Sequence, residues 1–192
     1  VDRTLNSLRL QVVQVEVCVQ DGSDEYTEAG RSGDEFAVAV AIDPVIATET
    51  WECWFQDWLE ALQPTFSPIN AYELSLRLTD DREIQQLNQQ YRQQDKPTDV
   101  LAFAALESLY PEPDELQATL PLYLGDIVIS LDTAQRQAEG QKHPLNVELA
   151  WLASHGLLHL LGWDHPDEDS LTRMLRQQQD LLEIVGLHSK TG

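Results

Sequence analysis

PLNVELAWLASHGLLHLLGWDH (residues 144–165) is the stretch whose reading organises the chain. Pro144 suits the first turn of a helix, where its missing N–H would have no intrahelical partner anyway. The apolar run that follows predicts a helix over roughly 144–161, ended by Gly162 as a left-handed cap. His155 and His159 are four apart, so on that helix they sit one turn apart on one face. Helical geometry cannot carry His165, six positions further on, to the same spot. The backbone must reverse, and Gly162 can take left-handed dihedrals at little steric cost. Beyond that turn come Trp163, Asp164 and His165, and His165 can close on the other two imidazoles.

A lone pair of histidines four apart on an apolar helix is usually packing. Here a third histidine, a turn glycine and an adjacent acid arrive together, and the combination points to a metal. Three neutral imidazoles suit a divalent ion, zinc above all, which accepts nitrogen at about 2.0–2.1 Å in tetrahedral geometry. The expected centre is one zinc ion held by His155, His159 and His165, with water in the open fourth position. That vacancy marks a catalytic site more than a structural one, because zinc-bound water has a pKa near 7. His143 and His188 stand outside the pattern and read as surface residues. The spacing matches the HExxHxxGxxH signature of metzincin proteases at every metal-binding position. Those proteases carry a glutamate base directly after the first histidine, where this chain has Gly156. A protease of that type is therefore disfavoured. Asp164, the nearest acid in sequence, is either a general base or a partner that orients an imidazole.

Working outward, residues 166–186 read as a second helix, with Pro166 in its first turn and Gly186 ending it. Residues 131–142 read as a helix capped by Ser130 or Asp132. Upstream, 122–130 reads as a strand, 107–121 as an acidic, proline-bearing loop, and 97–106 as a further strand. Residues 81–92 form an amphipathic helix through Ile84, Leu87 and Tyr91, preceded by an alternating strand over 71–80. Over 48–63, Trp51, Trp54, Phe55, Trp58, Leu59 and Leu62 fall at helical spacing, with Thr48 or Thr50 as cap, and read as core. FAVAVAID (36–43) is a short apolar run, strand or packed loop. Residues 20–35 read as a flexible acidic loop, and 8–19 as a valine-rich strand. The expected fold is α+β: a single domain over 1–192, a small mixed β-sheet packed with helices, and a helical C-terminal third carrying the metal site.

Composition bounds the partners. The 33 acidic and 12 basic residues leave a net charge of −21, which repels nucleic acid overall. It does not forbid a local basic groove, and Arg77, Arg82, Arg92 and Lys96 fall within twenty positions. From spacing alone, a solvated helix face is the plainer account of that density. The expectation is charge segregation, with the cleft less negative than the back. Cys18 and Cys53 have no CxxC spacing and read as ordinary buried or half-buried thiols. No apolar run reaches the ~18 to 20 residues needed to cross a bilayer. The opening VDRTLNSLRL lacks the layout of a secretory signal, so the cytoplasm is the expected compartment.

HGLLHLLGWDH (155–165) resembles the HGxLHLxGxDH signature of the YbeY family of metal-dependent endoribonucleases. LNQQYRQQDKPTDVLAFA (87–104) resembles that family's LNxxYRxxDkpTDVLSFp, and LGDIVIS (124–130) its LGDIxIs strand. The three motifs stand in the family's order and span about 71–175. Ala102 and Ala104 replace the usual serine and proline. The resemblance implies an α+β fold with the metal site at a cleft beside the sheet, and His155, His159 and His165 as zinc ligands. It implies a single-strand-specific endoribonuclease of the cytoplasm, acting in ribosomal RNA maturation at the 16S 3′ end and in ribosome quality control. RNA would be the substrate, with the small ribosomal subunit or ribosomal proteins as partners. Arg92 matches the family's functional arginine at the cleft. A guanidinium there can hold a phosphodiester through two parallel hydrogen bonds and offset charge building on phosphorus. The nucleophile, water or the ribose 2′-hydroxyl, stays open. Two other readings also stay open: a zinc hydrolase of another substrate class, and a mainly non-catalytic ribosome assembly factor whose acidic surface meets basic ribosomal proteins.

Overall fold

The computed structural model describes residues 13–21, 46–107 and 119–188. Strand β1 (Gln14–Asp21) shows why its sequence alternates. Val13, Val15, Val17 and Val19 face the core, while Gln14, Glu16, Cys18 and Gln20 lie on the other side. Strands β2 (Ala71–Thr79), β3 (Val100–Ala104) and β4 (Leu122–Ser130) complete one sheet in the order β1-β2-β4-β3. β1, β2 and β4 run parallel, and β3 pairs antiparallel with β4 at the edge. The sheet is mixed and small, as expected.

The helices are α1 (Thr48–Leu62), α2 (Asp81–Arg92), α3 (Leu131–Gln141), α4 (Leu145–Leu160) and α5 (Glu168–Ile184). α1, α4 and α5 bury one face of the sheet. Trp51, Trp54, Phe55, Trp58 and Leu59 are buried in that core, as the tryptophan spacing predicts. Trp58 also satisfies its indole N–H by donating to the Leu181 carbonyl at 2.9 Å, which ties α1 to α5. α2 covers the opposite face through Ile84 and Leu87, packed on Leu101, Phe103 and Val128. Its position is set at its N-terminal end. Asp81 accepts hydrogen bonds from Ser130 and Thr133, both 2.6 Å, and from Arg136 at 2.7 Å. Those bonds fix the helix that carries Arg92 at its other end.

Several local expectations are corrected. Neither Thr48 nor Thr50 caps α1; the helix starts after Ala47, whose carbonyl accepts from the Thr50 and Trp51 amides, with no side-chain cap. Pro144 is the N-cap of α4 and Pro166 lies before α5, so neither proline is in a first turn. Asp167 is the N-cap and shares a reciprocal capping box with Ser170, so it satisfies the first free amides itself. Of the two candidates at α3, Ser130 is the cap, accepting from the Thr133 amide at 3.2 Å. The strand expected over 97–106 spans 100–104 and gives way to one 3-10 turn at 105–107. Cys18 and Cys53 are exposed, not buried. Strand alternation puts Cys18 beside Glu16 and Gln20 on the polar side, and Cys53 points away from the tryptophan stripe. The acidic loop at 20–35 lies, apart from the end of β1, outside the described residues, as do the run 36–43, the start of the strand at 8–12 and most of 107–121. No helix among the described residues is long and apolar enough to cross a membrane.

Candidate metal centre

α4 ends as Gly162 predicts. Gly162 has φ +83°, its amide donates to the His159 carbonyl at 2.9 Å, and the Trp163 amide donates to the Leu158 carbonyl at 2.9 Å. This pair of bonds is a Schellman motif, which closes the last turn and sends the chain back along the helix. Asp164 then accepts from the backbone N–H of His165 at 2.8 Å, bracing the segment that presents the third histidine.

The three imidazoles meet. One ring nitrogen from each of His155, His159 and His165 lies within 4.8 Å of the others, the one such metal-holding group among the described residues. The Nε2 atoms of His155 and His159 are 3.1 Å apart. A tetrahedral zinc with arms of about 2.05 Å needs its ligand nitrogens roughly 3.3 Å apart, so the His155–His159 pair is spaced for such an ion. Protonation fits too. Burial, then the neighbouring His155 and His165 rings, push the His159 pKa down to about 4. Burial likewise lowers that of His155, helped by the positive charges of His165 and Arg92 and opposed by Gln178 and Asp99. Both rings are neutral donors near pH 7, the form a metal requires. Among the described residues, no acid joins the three in that group.

Arg92 is exposed at the C-terminal end of α2, and its positive charge contributes to lowering the His155 pKa. The chain leaves α2 through Gln93 in the left-handed conformation, φ +58°. Buried Asn88 donates to the Lys96 carbonyl at 2.8 Å, and Gln85 donates to Asp95 at 2.8 Å. These bonds hold the segment after Arg92 against the helix. Asp99 follows at the start of β3, where it accepts from the Val100 amide at 2.8 Å and from Gln137 at 3.0 Å. Asp164 is exposed; the hydrogen bond it makes is to the His165 backbone, and its charge reaches the His159 ring.

The family profile described as Endoribonuclease YbeY matches residues 40–186. The chain belongs to the YbeY endoribonuclease family. A relative from Trichormus variabilis named Endoribonuclease YbeY is 56% identical over 176 residues, covering 92% of this chain and 97% of the relative. Another of that name, from Trichodesmium erythraeum, is 62% identical over 136 residues, covering 71% and 74%. Among solved structures, the solution structure of TM1509 from Thermotoga maritima superposes with a TM-score of 0.50 at 22% identity. It covers 90% of this chain and 89% of that one, a likeness of fold.

Two features of this YbeY-family chain were not visible from spacing. Gly156 faces the sheet. A Cβ built there would meet Ile127 Cγ2 at 2.8 Å, so even a methyl group after His155 must displace Ile127, and a glutamate far more so. His143, read as surface, is instead paired with buried Glu148; their side chains are 7% and 2% exposed. A carboxylate so deep needs a partner, and burial raises its pKa while His143 opposes the rise. His188 is exposed, as expected. Ala102 and Ala104, the departures from the family motif, pack against the main core. Gln178, which touches His155, lies outside every motif quoted above, and Asp99, whose charge reaches His155, stood inside one without being given a role.

Proposed function

We propose that this chain is a zinc-dependent endoribonuclease that cuts single-stranded RNA in ribosomal RNA maturation, including the 16S 3′ end, and in ribosome quality control. The observation that carries the reading is the convergence of His155, His159 and His165, with the charge of Arg92 felt at His155. A bound zinc would supply Lewis acidity and an activated water. The three histidines would hold it, and the lowered pKa values of His155 and His159 keep protons from competing at neutral pH. Arg92 would grip the scissile phosphodiester and offset its gain in charge. Asp164 would brace the His165 segment and add negative charge that favours a cation, an orienting role more than that of a base.

A cavity of about 380 Å³ lined by Tyr91, the residue before Arg92, supports RNA over a peptide. Tyr91, 59% exposed, stands edge-on to Phe103 at 5.0 Å, with Arg77, Ser75 and Asp126 around them. An aromatic wall with polar groups suits an unstacked base, and such stacking contributes about 1–3 kcal/mol per base. Ribosomal RNA as substrate puts the proposed site of action in the cytoplasm. The net charge of −21 favours a second, compatible role in contact with basic ribosomal proteins of the small subunit.

Cleavage of single-stranded RNA by purified protein tests the proposal. His159→Ala should lose zinc and cleavage together. Arg92→Ala should keep zinc and lose cleavage by at least about 100-fold, the scale of a lost transition-state contact. Full cleavage by His159→Ala would remove the centre from catalysis, and binding of ribosomal components without cleavage by the zinc-loaded wild type would leave the assembly role alone.

A further inference from the structure

Gln178 on α5 is fully buried, lies 23 positions from His155, and is absent from every motif read above. Its Nε2 donates to the Trp151 carbonyl at 3.2 Å, and its Oε1 lies 3.2 Å from His155 Nδ1. A carbonyl cannot donate, so the amide must turn its NH₂ toward Trp151 and its oxygen toward the imidazole. That oxygen can only accept. His155 must therefore carry its proton on Nδ1, which leaves Nε2 bare. Nε2 is the atom that faces His159 at 3.1 Å. One backbone carbonyl on α4 thus fixes the orientation of an amide on α5, and the amide fixes the tautomer of a histidine on α4.

We propose that Gln178 is a positioning residue: through His155 Nδ1 it holds the imidazole in the tautomer and ring angle that present Nε2 to a divalent metal ion. The inference rests on the metal reading above. His159 has a parallel arrangement, because its ring donates to the backbone of Trp163. The two supports differ in kind. The one at His159 comes with the helix-ending turn, whereas the one at His155 exists only while α5 is docked. Assembly of the centre is thereby linked to the packing of the last helix, which the Trp58 bond to Leu181 also anchors. Without an acceptor at Nδ1, the proton is free to move to Nε2, the nitrogen the metal needs bare. Loss of such supports typically weakens metal affinity by about 10- to 100-fold.

The test uses the full chain, zinc-loaded and after chelation. Long-range ¹⁵N–¹H NMR at about pH 8 reads the tautomer of His155, and competition with a chromophoric chelator reads zinc affinity. In chelated wild type, His155 should hold its proton on Nδ1. Gln178→Leu should release that preference and bind zinc about 10- to 100-fold more weakly. Gln178→Glu keeps an acceptor for Nδ1–H and loses the donor to Trp151, and should bind zinc at least as tightly as wild type. A merely structural glutamine would not separate the two variants, because both break the Trp151 bond. An Nε2–H tautomer in chelated wild type overturns the inference, even if Gln178→Leu fails to fold. So does equal zinc affinity of wild type and Gln178→Leu. A wild type that binds no zinc would sink the metal reading instead, and the tautomer measurement tells the two failures apart.

Discussion

Adding one methyl group at Gly156 probes how closely the metal-bearing helix lies on the sheet. The new Cβ would sit 2.8, 3.1 and 3.2 Å from Cγ2, Cγ1 and Cδ1 of Ile127. Carbon atoms in contact prefer about 3.5–4.0 Å, so the worst overlap is roughly 0.7 Å or more. Ile127 cannot easily yield. It is fully buried on the inner strand β4, and a β-branched side chain has few rotamers. Overpacking of this kind costs about 1–3 kcal/mol. Replacing a mid-helix glycine by alanine returns about 1 kcal/mol through propensity. Gly156→Ala should therefore be destabilised by a net ~0–2 kcal/mol. The sharper number is the coupling. Ile127→Ala alone should cost about 2–5 kcal/mol by opening a cavity. In the double variant the methyl group added by Gly156→Ala enters that space, so the combined loss should fall short of the sum by at least about 1 kcal/mol. Urea unfolding of the four proteins, with chelator present to remove metal linkage, measures the cycle. Additivity within about 0.3 kcal/mol would refute the claim that Gly156 exists to let α4 approach Ile127.

Three further outcomes follow from the same geometry. Gly125→Ala should be far worse, by at least about 3 kcal/mol in urea unfolding, because its Cβ would lie 2.0 Å from the Phe103 carbonyl at φ +132°, against backbone that has nowhere to go. Gly162→Ala meets no atom within 4 Å but must hold φ +83°, so it should lose about 1–2 kcal/mol and, by shifting His165, bind zinc more weakly in a chelator competition. In the chelated protein, the unfolded chain binds protons at histidine near pH 6.5 while folded His159 resists until about pH 4. Its contribution should therefore be lost as pH falls from about 6.5 to 4, and the urea midpoint should drop less steeply over that window in His159→Ala.

Legibility in the sequence followed the range of the interaction. The end of α4 was readable because helix spacing, the turn glycine and the third histidine all act within eleven residues. The tryptophan helix was readable for the same reason: a stripe at helical spacing has one core-facing side. Gln178 was not, since it is a polar residue whose meaning depends on partners that only tertiary structure supplies, the Trp151 carbonyl and the His155 ring. His143 was misread because its partner Glu148 lies across the start of α4, where the chain changes direction at Pro144. Cys18 was a different error. The alternation of β1 already grouped it with Glu16 and Gln20, and residue type was given more weight than register. The approach of Arg92 to His155 had no local signal at all. It came from the motif resemblance, and the fold accommodates it because α2 and α4 both pack on the edge strand β3, one from each face.

The most direct test of the centre is X-ray absorption spectroscopy at the zinc edge on the zinc-loaded full chain. Three imidazole nitrogens and one light oxygen scatterer at about 2.0–2.1 Å are predicted, and His165→Ala should remove one imidazole from the pattern. A first shell with two imidazoles, or with a fourth protein side chain filling the remaining position in the wild type, would contradict the account.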